Sequence, residues 1–227
     1  QAAYLIPIAF YKSLDHLMTK GVRTQNQNSQ VFASLSVRPI DHLQLYGSFF
    51  LDEVKFARFK KSNPQNNPIS YLVGFNWSGW PIKGLSIKGE FMRSYIACYT
   101  HSIDVLDWSS NSYNMGHYMG DNAQSIYVEL AYRPFRGALI KLSYTNDKKY
   151  NSYAYLRDNI GPTISEKPFD HRISSNDELR LDGIYEVHPN MFMTVSLGYN
   201  NAQGFDNSNA NALPSEDLGD AQYYLDK

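Results

Sequence analysis

The side chains in this sequence best equipped for chemistry lie in its polar stretches. Trp108, Tyr113, His117 and Tyr118 fall in one, from about Tyr95 to Asn122, with His101, Asp104 and Asp107. Tyr153 and Tyr155 fall in another, from Asp147 to Asp177, with Arg157, Asp170, His171 and Arg172. Rings beside amides, carboxylates and imidazoles suit carbohydrate, because pyranose C–H faces stack on aromatic rings while sugar hydroxyls need planar donors and acceptors. Trp108, Tyr113, Tyr153 and Tyr155 are therefore the candidate glycan-binding residues.

Other chemistries are less well served. Asp170-His171 followed by Ser174-Ser175-Asn176 has the residue types of a hydrolase, but that reaction needs a Ser Oγ within reach of an oriented imidazole, and the spacing does not establish one. No catalytic residue is assigned. Cys98 is the single cysteine, which fits a small apolar filler better than a nucleophile. His117, in Gly116-His117-Tyr118-Met119-Gly120, has no second His or Cys close by, so the reading expects no metal and no cofactor. It expects this element to be structural, with Gly116 and Gly120 giving positive-φ turns and His117 satisfying a buried carbonyl. A formal net charge of -1 offers no footprint for nucleic acid.

The elements that must carry these stretches announce themselves by alternation. Val31, Ala33, Leu35 and Val37 take every second position, with Ser34, Ser36 and Arg38 between them; after Pro39–His42 the pattern returns in Leu43, Leu45, Gly47, Phe49 and Leu51. A second hairpin pairs Tyr71–Trp77 with Leu85–Phe91 across Gly79–Gly84. A third pairs Ile126–Tyr132 with Ala138–Tyr144 across Pro134–Gly137, and a fourth pairs Leu179–Val187 with Met193–Tyr199 across His188–Asn190. Short turns at one end and long polar stretches at the other are the pattern of an outer-membrane β-barrel, whose strands are longer than the average soluble strand. A soluble antiparallel sandwich alternates too. Trp77, Phe91, Tyr132, Tyr144, Tyr185 and Tyr199 tip the balance, since they sit in the apolar phase near strand ends as an interfacial girdle requires.

The fold expected is thus all-β: one transmembrane, antiparallel, up-and-down β-barrel domain over 1–227, in the bacterial outer membrane, with the long loops extracellular. Mean hydropathy of -0.45 and the absence of any run of about 18 apolar residues exclude a helical membrane protein. Ala3–Tyr11 reads as one more strand, making about nine. Because single-chain bacterial barrels have an even number, the chain is expected to be part of a larger barrel, lacking upstream strands and a closing C-terminal strand. Mixed charges at Lys88, Glu90, Glu129, Arg133, Lys141, Arg180, Asp182 and Glu186 are expected to pair across neighbouring strands on the inner face.

One resemblance joins these pieces. Gly116-His117-Tyr118-Met119-Gly120, then Asp121-Asn122-Ala123 and a strand ending Ala131-Tyr132-Arg133-Pro134, resembles the Gly-His-x-x-Gly…Tyr-Arg-Pro region of the Wzi-type capsule assembly family. Ala3–Tyr11 resembles that family's Tyr-Leu-Ile-Pro strand, and Leu43–Phe56 its Leu-Tyr-Gly-x-x-x-Leu-Asp-Glu strand. The resemblance covers the C-terminal portion of such a barrel. It implies an outer-membrane lectin that binds and anchors surface polysaccharide, with outer-membrane lipid, glycan and other outer-membrane proteins as partners. It carries over no individual sugar-contact residue. The alternative is an accessory barrel subunit in protein export, barrel insertion or glycan uptake; a porin and an outer-membrane hydrolase are lesser alternatives.

Overall fold

The computed structural model describes residues 30–52, 67–100, 107–111, 113–151, 168–170 and 172–204. Among these residues the chain is all-β and antiparallel. Its strands in chain order are β1 (Gln30–Ile40), β2 (Leu43–Asp52), β3 (Ile69–Ser78), β4 (Leu85–Ser94), β5 (Ser109–Ser110), β6 (Tyr113–Asn114), β7 (Ala123–Tyr132), β8 (Ala138–Tyr150), β9 (Arg172–His188) and β10 (Met191–Gln203). Eight of them form one sheet in the order β1-β2-β3-β4-β7-β8-β9-β10, and β5 pairs only with β6. The described residues make an open sheet with β1 and β10 as its edges, not a closed barrel. The strand expected at Ala3–Tyr11 lies outside them.

All four expected hairpins form. The first turn is narrower than expected, because β1 runs through Pro39 and Ile40 and only Asp41 and His42 turn the chain, His42 at φ 70°. Pro189 and Asn190 do the same between β9 and β10, with Asn190 at φ 66°. Asparagine tolerates that left-handed conformation better than most residues. A further difference lies at the opposite end, where β8, β9 and β10 reach 13, 17 and 13 residues and shorten the polar stretch expected from Asp147 to Asp177. Asn146↔Asp177, Lys148↔Ser175 and Asn201↔Asp177 continue the ladder where both faces are polar, so the apolar period that marks a strand has vanished while its backbone pairing continues.

The apolar phase is the exposed face. Val73, Phe75, Ile87, Val128, Leu130, Ile140, Leu142, Leu179, Leu181, Val195 and Leu197 are all exposed, and no described element covers them. The opposite face carries the polar residues, many of them buried, such as Asp182 and Ser143. A sandwich would place its apolar phase on a core; this sheet has it the other way round.

The apolar band does not follow the hydrogen-bonded rows. On β2 it spans Leu43–Leu51 and on β9 Leu179–Val187, but the ladder aligns Leu45 with Leu179 through Phe75, Gly89, Val128 and Tyr144. Both edges of the band therefore slip by six residues over the five strand steps from β2 to β9. At about 3.4 Å per residue and about 4.8 Å per strand, the slip is roughly 20 Å along for 24 Å across, a strand tilt of about 40° from the normal to the band.

Mixed charge and phenol groups tie the polar face together. Tyr46 crosses the surface of β3, where a Cβ at Gly74 would stand 2.6 Å from its ring, and its hydroxyl donates to Glu90 Oε1 at 2.6 Å. Lys88 Nζ lies 3.1 Å from the same carboxylate. Lys141 Nζ sits 3.6 Å from Asp182 and 3.9 Å from Glu129, while Arg180 Nε and Ser196 Oγ donate to Asp182 Oδ1 at 2.9 and 2.6 Å. Lys141 meets both of its carboxylates across neighbouring strands, and Lys88 and Arg180 meet theirs two residues along their own.

Candidate ligand-binding cleft

The segment between β4 and β7 folds back over the polar face. Its anchors join positions far apart in the chain. Ser94 Oγ donates to the Gly120 carbonyl at 2.5 Å, Ala97 N–H to Asp121 Oδ2 at 3.2 Å and Tyr99 Oη to Ser70 Oγ at 2.6 Å. Lys149 Nζ binds the Met119 carbonyl at 3.0 Å, and also the carbonyl and carboxylate of Asp121. Asn122, at φ 43°, gathers three segments: its N–H donates to the Tyr95 carbonyl, its Nδ2 to the Asn151 carbonyl, and its Oδ1 accepts from the Phe169 N–H. Within the segment Trp108 N–H donates to the Tyr99 carbonyl and Met115 N–H to that of Trp108, which brings the β5–β6 hairpin down onto the sheet.

What the segment covers is Phe50, which stands in the polar phase of β2. Phe50, Cys98 and Tyr99 are buried together, with ring centroids of Phe50 and Tyr99 4.9 Å apart. Trp108 packs half-buried on this group, 5.3 Å from Phe50 and 5.9 Å from Phe32. Cys98 is fully buried and its thiol is pushed up, first by burial and then by the charges of Asp121 and Asp52, so it fills space.

The expected turn motif is structural, for partly different reasons. Gly120 does take positive φ, at 70°, but Gly116 does not; a Cβ at Gly116 would overlap the Tyr99 ring. His117 Nδ1 lies 3.3 Å from the Met119 N–H and accepts from it, so the ring satisfies a backbone donor rather than the buried carbonyl expected. Burial holds the imidazole below its ordinary range, against the opposing pull of Asp147 and Glu90. Tyr118 stacks 4.3 Å from His117, and its hydroxyl, donating to Asp147 Oδ2 at 2.7 Å, is pushed up to about 12 by burial and by that carboxylate.

Two clefts of about 340 Å³ each open on the polar face beside this segment and share Leu72, Met92 and His117. The first is aromatic, with Phe32, Phe50, Tyr99 and Trp108; the second is charged and phenolic, with Lys88, Glu90, Tyr118 and Tyr127. Lys88 Nζ stands 5.4 Å from the centre of the Tyr127 ring. Two of the four candidate glycan residues lie among the described residues. Trp108 lines the aromatic cleft, Tyr113 is exposed at the hairpin tip, and Tyr153 and Tyr155 lie outside the described residues. Sequence reasoning missed Phe32, Phe50 and Tyr99. Two rings in the polar phase of neighbouring strands were the signal, since such rings need a cover. Ser174 and Ser175 are ladder residues opposite Lys149 and Lys148, and His171 lies outside the described residues.

Compared with known proteins, the chain matches no family model and no curated protein. The resemblance to capsule-assembly barrels rests on the motifs quoted above. In the fold the Gly116–Gly120 stretch is the part of the covering segment that closes on Tyr99 and Lys149.

Proposed function

We propose that the sheet is part of the wall of a transmembrane β-barrel in the bacterial outer membrane, with its long loops extracellular, and that the protein binds and anchors surface polysaccharide in the manner of the capsule-assembly barrels it resembles. One observation carries the membrane reading: the exposed apolar band runs obliquely to the ladder at a tilt of about 40°, which matches the 35–45° of membrane barrels. The band spans nine residues on β2, about 27 Å along the strand and roughly 21 Å along the membrane normal, close to the apolar height of such barrels. The reading makes the polar face a lumen, where paired charges and the folded segment favour binding over passage and weigh against a porin.

The glycan reading is supported by the two joined clefts, one offering ring faces and the other carboxylate, ammonium and phenol groups. Together they match the needs of a pyranose. The test is retention of surface polysaccharide by the full-length protein in mild detergent, comparing wild type with Trp108→Leu/Tyr113→Ala. Loss of one ring contact worth roughly 1.4 kcal/mol corresponds to about tenfold weaker binding. Unchanged retention, with a stoichiometric protein partner recovered from the same membranes, would replace the lectin by the accessory-subunit reading.

A further inference from the structure

Just beyond the apolar band, toward the long-loop end, the outward face changes character. Arg93 and Lys148 lie in one ladder row, joined through Gln124, so the two cations stand two strands apart, about 10 Å. Arg172 pairs with Tyr150, two residues beyond Lys148. The Arg93 guanidinium carbon lies over the Phe169 ring, 4.1 Å from its centre, and Nη2 donates to Gln124 Oε1 at 3.5 Å. Phe169 is packed edge-on by Tyr95 at 5.1 Å and Tyr150 at 5.5 Å, so an aromatic shelf supports the guanidinium. The charges of Arg93 and Arg172 both reach Tyr150, and those of Lys148 and Arg172 both reach Asp177, whose carboxylate also accepts from Tyr144 and Asn146. Among the described residues, three cations here stand against Asp177 and Asp170, the neighbour of Phe169, which leaves an excess of one positive charge.

We infer that Arg93, Lys148 and Arg172 form an outward-facing site for the phosphate of a membrane lipid whose acyl chains lie along the apolar band below. This rests on the membrane reading. The support is charge complementarity along a strip that rises beyond the band: Arg93 stands two residues above Phe91 on β4, Lys148 four above Tyr144 on β8, and Arg172 is paired two residues higher still. Lipid phosphates lie beyond the end of the band when acyl chains fill it. Aromatic rings at this end of the band are the ordinary interfacial anchors. A free anion would gain the charges but nothing from the apolar face beneath them.

The experiment uses the full-length protein inserted into neutral vesicles and then extracted in mild detergent for native mass spectrometry. The probe is a diphosphorylated, multiply acylated disaccharide lipid, compared with its dephosphorylated form and with inorganic phosphate alone. Wild type should retain the phosphorylated lipid. Arg93→Gln/Lys148→Gln/Arg172→Gln should retain it about a hundredfold more weakly, roughly fivefold for each basic residue. The charge-preserving Arg93→Lys/Arg172→Lys variant should stay within a few-fold of wild type, which separates loss of charge from loss of fold. Equal retention by the triple Gln variant, equal retention of the dephosphorylated lipid, or inorganic phosphate binding as tightly as the lipid would each overturn the proposal. Failure of wild type to enter vesicles would overturn it together with the membrane reading, whereas insertion with unselective lipid retention would remove this site alone.

Discussion

Leu130 separates the two environments that its face could meet. It stands mid-band on β7, in the row that includes Ile87, Leu142, Leu181 and Leu197, and it is 42% exposed. If that face met water, replacing an already exposed leucine with arginine would shift stability by no more than about 0.5 kcal/mol. If it meets the middle of a bilayer, the same change costs about 2–4 kcal/mol, because the guanidinium must be carried into hydrocarbon or drag water after it. The control is Thr145→Arg on the opposite face, where the new cation enters the charged cleft and stands directly across the ladder from Glu178. Both variants would be folded into vesicles and unfolded with urea, following Trp emission. The expected outcome is a clear loss for Leu130→Arg and about 1 kcal/mol or less for Thr145→Arg. Equal midpoints would refute the face assignment, and the reverse order would invert it.

Gly116→Val should loosen the covering segment, because the new side chain meets the Tyr99 ring; overpacking of this kind costs about 1–3 kcal/mol, and faster hydrogen exchange across 95–100 and 113–122 would report it. His117 gives a pH dependence with a definite sign. Its folded pKa lies below the ordinary value of 6.5, so its neutral form belongs to the fold and its contribution is complete above pH 6.5. Falling pH should erode that contribution, with Trp108 emission moving to longer wavelength, and His117→Gln should abolish the response. Asp182→Ala should lower the midpoint of the same urea titration, since it removes the carboxylate that Arg180, Ser196 and Lys141 share; Arg180→Gln, at a half-exposed partner, should lower it less.

The sheet was legible in the sequence wherever one face differed from the other. From Leu43 to Leu51 or Leu179 to Val187 the period of two is unbroken, and turns such as Asp41–His42 bear residues suited to left-handed backbone. The same logic explains the missed ends of β8–β10, where Asn146, Lys148 and Asp177 match polar residues on the other face and leave no period to read. The cleft was legible only in part. Trp108 stood out by type, but its place follows from Phe50, Tyr99 and the Tyr99–Ser70 hydrogen bond, contacts between positions far apart in the chain. Gly116 drew notice as a turn residue, yet the reason for it is the approach of an aromatic ring from 17 residues earlier in the chain. The cations above the band were hidden for the same reason, since only the ladder brings Arg93 within two strands of Lys148.

The central claim is that the oblique apolar band faces lipid, and depth measurement tests it most directly. Single cysteines at Leu45, Phe49, Leu179 and Leu181, in a Cys98→Ala background, would carry an environment-sensitive fluorophore in vesicles of lipids brominated at different acyl depths. The tilt makes Phe49 and Leu181 equal in depth although they lie in different ladder rows, and makes Leu45 and Leu179 unequal although they share one. The account predicts matched quenching for the first pair and clearly different quenching for the second, with Leu179 nearer the long-loop interface. Quenching that follows the ladder rows, or none at any of the four positions, would contradict it.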